Sequence, residues 1–161
     1  HAAGARQIVA IDRLDEKLER AYALGATHAF NADDPDLVAQ VKAATNGGVE
    51  YAIEAASSVD ALEMAYRITR RGGTTVTCSL PHPDHRFQLQ AVNLVAEART
   101  IKGCYLGSAV PARDIPHYIA LFKAGRLPVD KLITHRLTLD QINEGFDRLA
   151  SGEAVRQVIL F

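Results

Sequence analysis

Gln7-Ile8-Val9-Ala10-Ile11-Asp12 decides the fold: an apolar, strand-forming run closes on an acid, and an amphipathic helix begins at once near Leu14. Leu14, Leu18, Ala21 and Leu24 share one helical face, and Gly25 ends that helix. A strand that ends on a carboxylate and turns straight into a helix matches the second strand of a dinucleotide-binding unit, with the acid placed to take the adenosine ribose. The phosphate-binding G-x-G-x-x-G that lies about 20 residues before such an acid is absent. Asp12 has eleven residues ahead of it, and the 11 glycines, at 4, 25, 47, 48, 72, 73, 103, 107, 125, 145 and 152, contain no G-x-G. The chain opens on His1, and Met64 is its only methionine. The expectation is the later part of a larger nucleotide-binding enzyme, cut just after the phosphate loop.

Downstream the pattern keeps alternating. A short strand, His28 to Phe30, precedes a helix capped by Asp34 with Pro35 in its first position, and Leu37, Val38, Val41 and Ala44 face inward. Asn46-Gly47-Gly48 turns the chain into the run Val49 to Ala56. Ser57 or Ser58 caps the next helix, where Leu62, Ala65, Tyr66 and Thr69 lie together. Arg70-Arg71 would occupy its last turn, favoured there by the helix dipole, with Gly72-Gly73 as the stop and Thr74 to Leu80 as a strand. Pro81 to Arg86 is a polar break, Gln88 to Ala98 a weaker helical stretch, and Thr100 to Leu106 a strand. Short α-β alternation with apolar strands predicts a parallel sheet covered on both faces.

After Gly107 the character changes. Ile115, Tyr118, Ile119 and Phe122 predict a helix ending at Gly125, and Leu132 to Leu137 is extended. Thr138 with Gln141 forms a capping box for a helix with Leu139, Ile142, Phe146 and Leu149 inside; Gly152 stops it, and Arg156 to Phe161 is a strand. The expected division is 1–106 and 107–161.

Composition narrows the function classes. Hydrophobic residues at 48% and charged residues at 23% are ordinary for a globular chain, and a net charge of -1 with both signs mixed carries no nucleic-acid or membrane footprint. No apolar run approaches the ~20 residues of a membrane span, and residues 1–6 lack a signal-peptide h-region. Cys78 and Cys104 read as two buried, reduced thiols in strands, consistent with a cytoplasmic protein.

Three segments together resemble the zinc-dependent medium-chain alcohol dehydrogenase family. They are Ile11-Asp12-Arg13-Leu14-Asp15-Glu16-Lys17 with Leu24-Gly25-Ala26-Thr27; Asn46-Gly47-Gly48-Val49-Glu50-Tyr51 running to Glu54-Ala55-Ala56; and Leu132-Ile133-Thr134-His135 through Ile142-Asn143-Glu144-Gly145-Phe146-Asp147 to Ser151-Gly152-Glu153-Ala154-Val155-Arg156. The tail is the most specific, because nothing physical requires its segments to recur together. The resemblance implies a Rossmann-like doubly wound parallel α/β sheet lacking its first strand and Gly-rich loop, followed by a small α+β segment that returns to a catalytic domain. It also implies NAD as cofactor, an alcohol or aldehyde as substrate, and zinc held by residues ahead of this chain.

Residue by residue, the resemblance makes Asp12 the acceptor for the ribose hydroxyls, which repels a 2′-phosphate and favours NAD over NADP. The alternative is a solvated Asp capping the next helix, and Arg13 beside it can accommodate a 2′-phosphate. Lys17 matches an adenosine-ribose contact, or else is a solvated lysine paired with a carboxylate such as Asp12. Ala55 and Ala56 end the fourth strand of the fold at the cofactor crevice, Ser79 and Leu80 end the next on the nicotinamide side, and Cys104 and Leu106 close the last near the carboxamide. Many relatives carry bulkier residues or glycine at these places, and tight packing alone also selects small residues. Arg156 matches an arginine that reaches the pyrophosphate, a task suited to a forked guanidinium; otherwise it is a surface residue opening an edge strand.

His82-Pro83-Asp84-His85 gathers three potential metal ligands, but reads as a polar surface turn. Neither a G-x-S-x-G elbow nor an isolated carboxylate pair is present, so no catalytic residue is assigned. The reading is the cofactor-binding part of an alcohol dehydrogenase, inactive alone, from a homodimer or tetramer joined through the Ile101 to Tyr105 strand. Two alternatives stay open: a zinc-free, NADPH-using quinone-reductase-like enzyme, and a non-catalytic nucleotide-binding or assembly module. In the strand order 3-2-1-4-5-6, the sheet lacks a strand between the one ending at Asp12 and the one ending at Glu54, so the expectation is a gap there, a gap filled by a strand from another chain, or collapse of the two neighbours together.

Overall fold

The computed structural model describes residues 2–105 and 107–161. These form two compact units, one spanning Arg6–Val110 and one made of residues 2–5 with Pro111–Phe161.

The larger unit alternates strand and helix: β1 Val9–Asp12, α1 Asp15–Ala23, β2 His28–Asn31, α2 Leu37–Ala44, β3 Val49–Glu54, α3 Val59–Ile68, β4 Thr69–Thr77, α4 Ala91–Ala96 and β5 Thr100–Gly103. All pairings are parallel. β1 pairs with β2 from Val9↔His28 to Asp12↔Asn31. β4 lies between β3 and β5, with Ala52↔Thr75 and Thr77↔Gly103 in register. Among the described residues β1 and β3 do not pair, so the strands form a two-stranded and a three-stranded sheet, interrupted where the strand order places one more strand.

One apolar cluster nonetheless includes residues from both sheets. Leu37, Val41, Ala52, Ala65 and Ile68 are buried, and Val9, Ile11, Phe30 and Val49 pack against them. Leu37 and Val41 come from one face of α2, and Ala65 and Ile68 from one face of α3, the three- and four-residue spacings that bring helical side chains together. Along β3 the period of two puts Ala52 and Glu54 inside, while Tyr51 and Ile53 remain 72% and 71% exposed. The expectation of a sheet covered on both faces therefore fails at this strand.

The end of α3 also differs from the sequence expectation. The helix stops at Ile68, and Thr69, Arg70 and Arg71 already belong to β4. Thr69 is fully buried, and its hydroxyl donates to the Ala65 carbonyl (2.8 Å) and lies 2.8 Å from the Thr75 hydroxyl. Those bonds fasten the strand's first residue to the helix it leaves. Arg70 meets Glu50 on the neighbouring strand (3.4 Å) instead of supporting a helix terminus.

In the smaller unit α5 spans Pro111–Lys123, a short 3-10 turn covers Val129–Leu132, β6 covers Ile133–Leu137, and a second 3-10 turn covers Leu139–Gln141. α6 covers Ile142–Ala150, and β7, Arg156–Ile159, pairs in parallel with β6. Thr138 and Gln141 form the expected capping box. The face α6 buries is not the expected one: Phe146 and Leu149 are exposed, while Gly145 is buried. A Cβ at Gly145 would stand 2.7 Å from Leu137 Cδ1, and the Gly145 carbonyl accepts from Gln157 Nε2 (2.6 Å). At Gly145 the helix packs closely on the Leu137 and Gln157 side chains, while Phe146 and Leu149 stay exposed.

Candidate functional site

Apart from Lys17 on α1, the described candidate residues of the larger unit lie at or just past strand carboxyl ends. Asp12 is the last residue of β1 and half-buried. Its Oδ1 accepts the Leu14 amide (3.1 Å), an Asx turn that leads into α1 without capping it, and Oδ2 has no hydrogen bond among the described residues. A carboxylate held by one oxygen and open at the other can accept from a ribose hydroxyl without losing its place. The turn around it is braced by Asn31 at the end of β2, whose Nδ2 donates to the Arg13 carbonyl (3.2 Å) and to Asp15 Oδ1 (2.9 Å). Arg13 Nε binds both oxygens of Asp33, at 3.1 and 3.2 Å, so a second acid accompanies the arginine that sequence made available to a 2′-phosphate. Lys17, in the first turns of α1, is half-exposed and forms no ion pair among the described residues, with Asp12 or any other carboxylate.

Ala55 and Ala56 follow directly on β3 and are exposed. Ser79 and Leu80 lie just past the end of β4 at Thr77, and Cys104 just past the end of β5 at Gly103. These strands thus end two to three residues earlier than expected, because the parallel ladder runs out there. Cys78 and Cys104 are free, but neither lies within a strand and Cys78 is exposed, which corrects the reading of two buried thiols. Leu106 lies outside the described residues. Arg156 opens β7 in the smaller unit; it is exposed and without an ion pair among the described residues.

The residue that sequence reading passed over is Glu54. It is 4% exposed, and no lysine, arginine or histidine meets it within ion-pair distance among the described residues. Its charge is satisfied by neutral donors. Oε1 accepts the Ala56 amide (2.6 Å), and Oε2 accepts both the Thr77 and Ser79 hydroxyls (2.6 Å each). Burial pushes the carboxyl pKa up, while hydrogen bonds from Ser79, Thr77 and the Ala56 and Ser57 amides pull it down; the bonds prevail and hold it below the usual carboxylate range. The backbone repeats the tie, with the Cys78 amide donating to the Glu54 carbonyl (3.0 Å). The sequence offered only a lone acid inside the run Val49 to Ala56; the structure makes it the last residue of β3, two residues from buried Ala52.

His82 to His85 forms the expected polar turn, with the His85 amide donating to the His82 carbonyl (2.9 Å), and the described residues contain no metal-ligand cluster. A cleft of about 630 Å³ opens beside α2 and α3, where buried Arg99 lies over the Tyr66 ring; Lys42, Arg67 and Asn93 help to line it.

Residues 1–124 match the family described as zinc-binding dehydrogenase. Alcohol dehydrogenase 1 of Oryza sativa subsp. indica is 36% identical over 160 residues, 98% of this chain and 42% of the relative. Geraniol dehydrogenase of Castellaniella defragrans is 35% identical over 161 residues, 99% of this chain and 43% of the relative. Two solved structures superpose with a TM-score of 0.92 at 31% identity: an alcohol dehydrogenase zinc-binding domain protein from Burkholderia ambifaria, covering 98% of this chain and 42% of that one, and benzyl alcohol dehydrogenase from Acinetobacter calcoaceticus, covering 97% and 43%. The chain spans less than half the length of these relatives. With its parallel α/β units and the acid-ended β1 in place, the chain belongs to the zinc-binding dehydrogenase family.

Proposed function

We propose that residues 1–161 are the cofactor-binding part of an NAD-dependent alcohol dehydrogenase that transfers hydride between an alcohol and NAD. The observation that carries this is the half-committed carboxylate of Asp12, anchored by the Leu14 amide with its second oxygen open, at the end of the strand where a doubly wound sheet receives the adenosine ribose. Asp33 beside Arg13 adds negative charge to the same turn, which supports NAD over a cofactor with a 2′-phosphate. Lys17 joins Asp12 on the adenosine side. By the family resemblance, Ala55 and Ala56 belong to the cofactor crevice, Ser79 and Leu80 to the nicotinamide side and Leu106 to the carboxamide, and Arg156 is the residue assigned to the pyrophosphate.

NAD supplies the hydride acceptor. Zinc chemistry is not assigned to these residues, since none of those described forms a ligand set. The working assembly is a homodimer or tetramer paired along β5, an edge of its sheet, and its setting is cytoplasmic. By themselves, residues 1–161 should bind NAD weakly and be inactive, because the loop amides that hold a pyrophosphate at a helix N-terminus are not among them. Micromolar binding to these residues alone, measured by calorimetry, would refute that.

The main test uses the complete polypeptide that carries these residues. Asp12→Gly removes both the ribose acceptor and the repulsion of a 2′-phosphate, so the ratio of kcat/KM with NAD to that with NADP should fall by about tenfold or more, the scale of a charge-assisted hydrogen bond. An unchanged ratio would leave Asp12 only its turn-forming hydrogen bond with Leu14.

A further inference from the structure

Glu54 does more than end a strand. One side of its carboxylate holds the turn between β3 and α3, through the Ala56 amide, and the other holds the segment after β4, through the Thr77 and Ser79 hydroxyls. The two segments so joined are 55–56, proposed to border the cofactor crevice, and 79–80, proposed for its nicotinamide side. A buried carboxylate is costly unless its oxygens are satisfied, and here the donors come from the turn after β3 (Ala56, with Ser57 beside it) and from Thr77 and Ser79 at and just past the end of β4.

We infer that Glu54 is a positioning residue that locks the carboxyl ends of β3 and β4 into one edge against the nicotinamide ring, with the Ser79 hydroxyl as the latch on the β4 side. This rests on the dinucleotide reading given above. The latch acts on half of the cofactor only. The adenosine half is held at Asp12, on a strand that does not pair with β3. Loosening the Glu54 contacts should therefore weaken ligands that contain nicotinamide and spare those that lack it.

The experiment compares calorimetric affinities for NAD and for ADP-ribose, which lacks the nicotinamide ring, in the complete polypeptide carrying residues 1–161. Ser79→Ala deletes one donor, and Glu54→Gln keeps the shape but replaces one acceptor oxygen with an NH2 group that cannot accept, so either the Ala56 amide or the Thr77 and Ser79 hydroxyls lose their partner. Each should weaken NAD by roughly tenfold, the scale of one hydrogen bond to a charged group, and leave ADP-ribose within about twofold. Ser79→Thr, which keeps the hydroxyl, should restore NAD affinity. Equal weakening of both ligands, unchanged NAD affinity in Ser79→Ala, or failure of Ser79→Thr to restore it overturns the positioning role and leaves the dinucleotide reading standing. An unsubstituted protein that binds neither ligand overturns both. Should Glu54→Gln not fold, the two Ser79 variants decide the matter alone.

Discussion

Asp12 and Glu54 both end a strand, yet the structure treats their charges in opposite ways. Asp12 shares one oxygen with the backbone and leaves the other open, while Glu54 is enclosed and takes hydrogen bonds on both oxygens. Because those bonds hold the Glu54 pKa below its ordinary value, it favours the folded state wherever it is ionised. That contribution is complete above the unfolded carboxyl pKa of ~4.3 and is lost as pH falls through the lower folded value. The urea midpoint of the wild-type protein should therefore fall between about pH 5 and pH 3 more steeply than that of Glu54→Gln, and the two should converge at the acid end. Parallel curves would show that Glu54 is not linked to folding. Asp12 was legible from sequence because an acid after an apolar run has a known task in this fold. The role of Glu54 was not, because its donors lie 2, 23 and 25 residues away and meet it only when β3 and β4 pair.

At the scale of elements, the join between α3 and β4 depends on the turn leading into β3. Gly48 has φ +125°, and a Cβ there would stand 2.5 Å from the Ile68 carbonyl oxygen and 2.8 Å from the Arg70 amide nitrogen. Those are backbone atoms at the end of α3 and the start of β4, so no side chain can swing away. Gly48→Ala should cost about 2–4 kcal/mol, combining backbone strain and overlap. Gly103→Ala, at the end of β5 with open space around it, should change stability by less than ~0.5 kcal/mol. Urea denaturation of both variants tests this, and equal losses would show that glycine content rather than local geometry matters. The sequence placed Gly47-Gly48 at a turn, but it also extended α3 through Arg71, since helical periodicity continues through Thr69. Parallel pairing of Thr69 with Val49 overrides that local preference.

For the whole molecule, the sheet interruption and the bare face of β3 have one physical consequence. Parallel sheets normally carry cover on both faces, yet Tyr51 and Ile53 stand exposed beside buried Ala52 and Glu54. Residues 1–161 expressed alone should bind an apolar dye such as ANS and self-associate as concentration rises. The double substitution Tyr51→Thr with Ile53→Thr keeps β-branched or strand-compatible residues and should lower dye fluorescence while leaving the circular dichroism spectrum intact. Dye binding that survives the substitution would place the sticky surface elsewhere, for example at Val92 and Val95 of α4, which are also exposed.

Alternation of apolar runs with capped helices was enough to specify parallel α/β units, the break between β1 and β3, and Asp12 at the end of the first strand. Each of these depends on residues near one another in the chain or on a fold-wide order of strands. Helix rotation, strand ends and partners of buried polar groups were decided by tertiary structure alone. α6 packs on Leu137 through Gly145 and leaves Phe146 and Leu149 exposed. Thr69 left its helix because Val49 and Thr75 offered better partners. Glu54 became the best-connected carboxylate of the site because donors on two strands converge on it, which is a matter of register, and register exists only once the strands are paired.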